Sequence, residues 1–595
     1  MYQLFNKMYH THRLKFFIVL VFIKLCECNE TIDIKISQGT LSGLVERTFL
    51  KEKNYYAFRG IPFAEPPLGT LRFKPPVPHK HWDGTYEAHK NKPTCFQFSY
   101  RRRNNEPYGF SGSEDCLYLS VYTPSLEGSA PVVVFDYNDN FKTGFNGSDT
   151  YSPDFFVEEG VVVVTIGHRL GILGYFTTED DVIPPNAGLK DFILGLNWIK
   201  DNIKAFGGDS NRITIMGNRG GAALANMMLY SEAAKNLFSA LIMQSGSATE
   251  PIYFFENSRE KAFQLGEVFN TTTDDSQVLL EKLQNVDVDA LLTEEGKVKD
   301  YNDVDDLQSS VEIFSPVIEK PSPDAVLTHS PITDNIINDV PVLIGFNSRE
   351  GLDLVSHFII EPRLLDGNAD FLFVFPIKVN YRFNANSTAF KNAIEKVKNF
   401  YMEDGILRYS TILDYAVYVG DMLQNYALHV TARKLSSELQ SNLYYYMFDY
   451  RGLLNENSEQ ITKYLRFSMQ HWGATITDEL CYLHLCSRIK STYDEFKNLP
   501  SEQPEFKVLK KMVKMWTNFV KTRDPTPGED KDLKNLKWLP MDSAKNNYLH
   551  ITKKFKMEEN PMGERDKFWD DFLKEYEEMA QDGVVGTEEL EHDEL

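Results

Sequence analysis

Two runs of branched apolar residues, Val132-Val133-Val134-Phe135 and Val161-Val162-Val163-Val164-Thr165, limit what this chain can fold into more than any other feature. A strand that alternates apolar and polar residues covers one face of a sheet, whereas one apolar throughout must be covered on both. The runs therefore predict parallel strands in an α/β fold: a large, mostly parallel central sheet flanked by helices, with long insertions. Between Leu189 and Phe206 apolar residues recur at helical spacing through Leu194, Trp198 and Ile199, and Gly207-Gly208-Asp209 ends that helix. Ile213 to Gly217 then predicts a strand and Ala222 to Leu229 a helix, a βα unit joined by a tight glycine turn. Ile32 to Ile36 and Leu41 to Glu46 read as short strands, Val340 to Gly345 as a core strand, and Glu505 to Phe519 as a helix.

The 595 residues, 42% hydrophobic and 13% aromatic, are enough to bury a large core. No internal repeat and no long flexible linker divides them, so one domain over residues 29–574 is expected. A net charge of −22 argues against nucleic acid as a partner, because phosphate recognition needs clustered Lys and Arg. The short basic run Arg101-Arg102-Arg103 reads as a solvated loop. No cofactor motif and no metal-ligand spacing is found, so neither is expected.

Residues 1–28 read as a signal peptide. Lys7, Arg13 and Lys15 precede the apolar run from Phe16 to Ile23, which is shorter than the ~20 residues a spanning helix needs; an uncleaved anchor is the alternative. No later stretch suits a transmembrane segment. Residues 575–595 form an acidic stretch, expected to be a solvated extension that presents His592-Asp593-Glu594-Leu595, a retention signal read by a receptor of the endoplasmic reticulum. With Cys26 and Cys28 in the targeting segment, Cys95, Cys116, Cys481 and Cys486 remain, an even number suited to an oxidising lumen. Sequential pairing closes two short loops, although Cys481 and Cys486 could equally be free thiols. Asn29, Asn146, Asn270 and Asn386 head sequons, which are glycosylation candidates in a chain that enters the lumen.

More specific are several ordered blocks: Phe58-Arg59-Gly60-Ile61-Pro62 running on to Phe73; Ser113-Glu114-Asp115-Cys116-Leu117 running on to Pro124; His168-Arg169-Leu170-Gly171; Phe206-Gly207-Gly208-Asp209; and Met515-Trp516-Thr517-Asn518-Phe519 with Asp524-Pro525. In these blocks and their order the chain resembles the type-B carboxylesterase and cholinesterase family over roughly residues 30–570. The resemblance implies an α/β-hydrolase fold with a gorge leading to the catalytic site, and it supports a Cys95–Cys116 disulfide.

The same resemblance exposes departures. Ester hydrolysis on this fold needs a serine on a strained strand-to-helix turn, G-x-S-x-G; here the turn reads Gly217-Asn218-Arg219-Gly220-Gly221, with Arg219 at the nucleophile position. A guanidinium has no lone pair with which to attack a carbonyl. Ser245, in Gln244-Ser245-Gly246-Ser247, lacks the flanking glycines and is not expected to replace it. The histidine position falls on Ile476, while His471 and His484 are offset and read as core or surface residues. The glycine-rich oxyanion loop is replaced by Tyr137-Asn138-Asp139-Asn140-Phe141, facing Gly220; only Glu350 fits its place, as the acid. A carboxylate stripped of its base needs a new partner, so Arg219 is expected to pair with Glu350, with Asp139 as an optional third member; a solvated Arg219 in the gorge is the alternative. These replacements predict a non-catalytic protein of the endoplasmic reticulum lumen that binds a partner protein or an apolar small molecule. A carboxylesterase with an atypical or residual site is the alternative.

Overall fold

The computed structural model describes residues 30–99, 109–144, 149–254, 257–298, 314–365, 373–462, 472–498 and 503–587. Its centre is one 14-stranded sheet. The strands on its main path are β1 (Thr31–Ile36), β2 (Gly39–Arg47), β3 (Asn54–Pro62), β4 (Tyr118–Thr123), β5 (Ala130–Asp139), β6 (Val162–Ile166), β7 (Gly208–Arg219), β8 (Ala240–Gln244), β9 (Val342–Asn347), β10 (Leu443–Phe448), β11 (Asn547–Ile551) and β12 (Lys556–Glu559). They lie in the order β1-β2-β3-β4-β6-β5-β7-β8-β9-β10-β11-β12. From β6 to β11 the neighbours are parallel; the two margins are antiparallel.

The valine runs behave as two-sided burial demands. Val132 and Val134 of β5 enter one apolar core while Val133 and Phe135 enter the other, and Val162 and Val164 of β6 alternate in the same way with Val163. Helices cover both faces. On one side pack α1 (Ala187–Asn202), through Leu189, Phe192 and Leu196, and α2 (Gly220–Met228). Later in the chain, α3 (Glu456–Thr462) is a short segment. On the opposite face α4 (Pro504–Thr522) contributes Leu509, Met512 and Trp516; its Pro504 stands in the first turn, where a missing N–H is tolerated. This is the α/β-hydrolase arrangement that the resemblance implies.

Most differences from the sequence reading are at element ends. The strand expected at Ile213 to Gly217 extends over Gly208–Arg219, because β5 beside it pairs as far as Asn138. One difference is larger. The stretch from residue 575 is not a free extension: α5 (Glu564–Met579) runs through it, and Val584–Val585 pairs in parallel with Arg382–Phe383. Tyr576 and Val585 are buried, and the Tyr576 ring meets Phe383 at 4.8 Å. The count of acidic residues concealed this apolar spacing. The signal peptide, Arg101 to Arg103, His471 and the retention signal lie outside the described residues. Among those described, no helix is long and apolar enough to cross a membrane. Both cysteine pairs are joined, Cys95–Cys116 and Cys481–Cys486. Asn270 and Asn386 are exposed; Asn29 and Asn146 lie outside the described residues.

Candidate functional site

The elbow sits where β7 turns into α2. The reversal takes place at Arg219, with φ 54° and ψ −122°, a conformation that costs a residue bearing a β-carbon about 1–3 kcal/mol. Close crossing explains the flanking glycines. A β-carbon on Gly217 would lie 2.0 Å from the Gly221 carbonyl oxygen, and one on Gly221 would lie 2.4 Å from the Asp136 carbonyl oxygen. The turn expected of a nucleophile is thus present, and it carries a guanidinium.

Arg219 pairs with Asp139 at 3.1 Å. Burial alone would lower its basicity, but Asp139 first, then Tyr137 and Asp353, raise it on balance, so the side chain is a permanent cation. The expected bond to Glu350 is not made: among the described residues no ion pair joins the two. Glu350 is instead fixed at the end of β9, where its Oε1 accepts from the Asn347 backbone N–H at 2.7 Å and from Asn347 Nδ2 at 3.2 Å. The same Nδ2 donates to Glu479 Oε2 at 2.7 Å, and Asn218 Nδ2 donates to Glu479 Oε1 at 3.0 Å. Two buried carboxylates therefore share one amide donor. Burial, and then Glu479, push Glu350 up to about 8; burial likewise pushes Glu479 up to about 7. Protonation does the work expected of Arg219.

Ile476, at the base position, is buried. Its segment is docked on that of the acid: Thr475 Oγ1 donates to the Glu350 carbonyl at 3.2 Å, and Arg349 N–H to the Ala474 carbonyl at 2.8 Å. A hydrocarbon therefore stands at the position that the resemblance gives to the base. His484 lies in an aromatic slot, its ring 4.3 Å from Phe135 and 5.4 Å from Phe156, and burial pushes its pKa down to about 3. It is a core residue, as its offset implied. Ser245 does come close to the acid: its Oγ accepts from Asn347 Nδ2 at 3.0 Å. Among the described residues, however, no imidazole shares a hydrogen bond with Ser245 or Glu350.

The loop that the resemblance places at the oxyanion hole is a hairpin. Asn138 and Asp139 pair with Gly144 and Thr143, Asn140 and Phe141 are left-handed at φ 52° and 60°, and Lys142 N–H donates to the Asp139 carbonyl at 2.9 Å. The Asn138 amide is held at both ends, donating to Asp136 Oδ2 at 2.8 Å and accepting from Phe141 N–H at 2.9 Å. Asp136 in turn meets His168 Nε2 at 3.2 Å; burial opposes protonation of this imidazole, but Asp136 raises its pKa on balance. An oxyanion hole needs backbone N–H groups free to face a developing charge. In this loop those of Phe141 and Lys142 are engaged, and a carboxylate stands beside them.

Asn218, Asn347, Glu479, Asp136 and His168 were not singled out from sequence. Asn347, Asn218 and Asp136 share one signal, a polar residue inside an otherwise buried strand; Glu479, in the short helical turn Asp478–Tyr482, has none of that kind.

The sequence pattern of the carboxylesterase family matches residues 30–569. A juvenile hormone esterase of Tribolium castaneum is 28% identical over 89% of this chain and 92% of its own length. Esterase FE4 of Myzus persicae is 29% identical over 89% and 90%, and an acetylcholinesterase of Electrophorus electricus 27% identical over 88% and 85%.

Proposed function

Because the chain belongs to the carboxylesterase family, we propose that it is a member without serine-esterase activity, kept in the lumen of the endoplasmic reticulum, where it binds a partner protein. The observation that carries this reading is the Arg219 guanidinium on the elbow, paired with Asp139. Acyl transfer needs a nucleophile with a lone pair and a base to take its proton; this site offers a cation and a hydrocarbon. Loss of one triad member in a hydrolase leaves roughly 10³–10⁴-fold catalysis over water, a remnant that depends on the oxyanion hole. Here a cation stands on the elbow, a hydrocarbon at the position matched to the base, and a carboxylate beside the loop, so little of that remnant is expected. The motif His592-Asp593-Glu594-Leu595 supports retention in the lumen, and a retained protein is suited to holding other luminal proteins.

The test is to incubate the purified chain with a short-chain aryl ester and with an organophosphate probe. No labelling, and no turnover above a mock preparation, is expected; a labelled serine with turnover overturns the reading. Isolation from its own cells is expected to bring down a defined luminal protein, and its N-glycans are expected to stay sensitive to endoglycosidase H.

A further inference from the structure

Beyond the Ile476 segment, Cys481, Cys486 and Glu456 offer ligand atoms that all lie within 4.8 Å of one another, and all three residues are buried. The two cysteines are joined by a disulfide. Glu456, which opens α3, faces them with its Oε2 3.6 Å from Cys481 Sγ, while Arg488 Nη1 donates to its other oxygen at 3.1 Å. A disulfide sulfur carries no proton, so in the oxidised state this carboxylate oxygen faces an atom with nothing to donate. Arg488 aims it there nonetheless, in the way an outer-shell partner orients a metal ligand.

We propose that Cys481, Cys486 and Glu456 form a redox-gated site for Zn²⁺ or a similar thiophilic divalent cation, closed while the disulfide stands and opened by its reduction. A dithiol reductant gives two electrons and two protons and closes to its own cyclic disulfide, leaving two protein thiols. Binding of the divalent ion then forms two metal–sulfur bonds and one metal–oxygen bond and releases both thiol protons. Two thiolates and a carboxylate suit tetrahedral Zn²⁺, with water in the fourth position. The charges close: three negative ligands are balanced by the ion together with Arg488.

The scaffold keeps the sulfurs together after reduction. Tyr493 Oη donates to the Cys481 carbonyl at 2.6 Å and accepts from the Cys486 N–H at 3.5 Å, and Cys486 also pairs with Tyr151 across a two-stranded ladder. His484 lies between the two cysteines in sequence but stays in its aromatic slot and is not a ligand. The Cys-x₄-Cys spacing alone lacks a second pair; Glu456 completes the set from 25 residues upstream of Cys481, a relation only the fold reveals. The site does not depend on whether ester hydrolysis is absent.

The test is to reduce the full chain with a phosphine under native conditions, count the freed thiols by alkylation, and titrate with Co²⁺ as a spectroscopic stand-in. One Co²⁺ per chain is expected, with a thiolate-to-cobalt charge-transfer band absent from oxidised protein, displaced by Zn²⁺ with release of two protons. Glu456→Gln is expected to weaken binding roughly tenfold or more. Protein carrying Cys481→Ser and Cys486→Ser together is expected to fold, by circular dichroism, and to show no band. A disulfide that resists reduction in the folded chain, two free thiols without the band, or a Glu456→Gln variant that binds as the parent does would each overturn the proposal.

Discussion

Asn138 Oδ1 stands 1.9 Å from the point that a β-carbon on residue 220 would occupy, so a side chain at one position requires its absence at the other. Gly220 opens α2 without a left-handed backbone, and alanine would suit the helix there but for this contact. Gly220→Ala is expected to lower unfolding free energy by about 1–3 kcal/mol, the range for overpacking. In an Asn138→Gly background most of that cost should disappear, leaving only the 3.0 Å approach to the Asn140 backbone nitrogen. A double-mutant cycle by urea denaturation checks the coupling; additive effects would show that the hairpin and the helix start are independent.

On the proposed reading, restoring a serine and a histidine falls short at the hairpin. A chain with Arg219→Ser and Ile476→His is expected to hydrolyse an aryl ester only weakly, because the Asn138 and Asp139 side chains remain in the loop and Asp139 would repel an oxyanion. Adding Asn138→Gly and Asp139→Gly is expected to increase turnover further, by up to ~10²–10³-fold, the usual worth of an oxyanion donor. Initial rates and organophosphate labelling at position 219 measure both steps. Strong activity in the first variant would mean that the hairpin is no obstacle.

Asp139 is needed by Arg219 even without catalysis. Their side chains are 27% and 10% exposed, and truncating the acid leaves a nearly buried cation with less compensation. Asp139→Ala is expected to destabilise the fold by about 1–3 kcal/mol. The joint change Asp139→Ala with Arg219→Met should recover most of it, read as the midpoint of chemical denaturation.

Stability should fall as the solution becomes alkaline. Glu350 and Glu479 are raised in the fold to about 8 and about 7 from 4.5; between these limits the folded chain binds more protons than the unfolded one. Their contribution is complete below about 4.5 and is lost as pH rises through the folded values. His484, lowered to about 3 by burial, acts in the opposite sense, but only below its ordinary value of 6.5, so the window from 6.5 to 8 isolates the carboxylates from it. Denaturation midpoints should decline across that window, and Glu479→Gln should flatten the decline. An unchanged slope in that variant would assign the proton elsewhere.

The parallel sheet was legible because Val132 to Phe135 and Val161 to Thr165 admit only two-sided burial, and the elbow because Gly217 and Gly221 leave no room for side chains. The partner of Arg219 was not. Asp139 and Glu350 are both acids within family blocks, and the choice between them depends on a hairpin whose left-handed Asn140 and Phe141 carry no glycine signal. Glu479 was hidden for a related reason: its companion Asn218 sits inside a motif read for the residue next to it. The fate of residues 575–587 turned on Tyr576 and Val585, two apolar positions inside an acidic stretch.

The reversal at residue 219 separates folding from chemistry. Backbone crossing between Gly217, Gly221 and Asp136 imposes the bend, and none of those contacts involves the side chain that the bend displays. Position 219 is therefore a mounting point: the backbone beneath sets the bend, and the side chain displayed there is a separate choice.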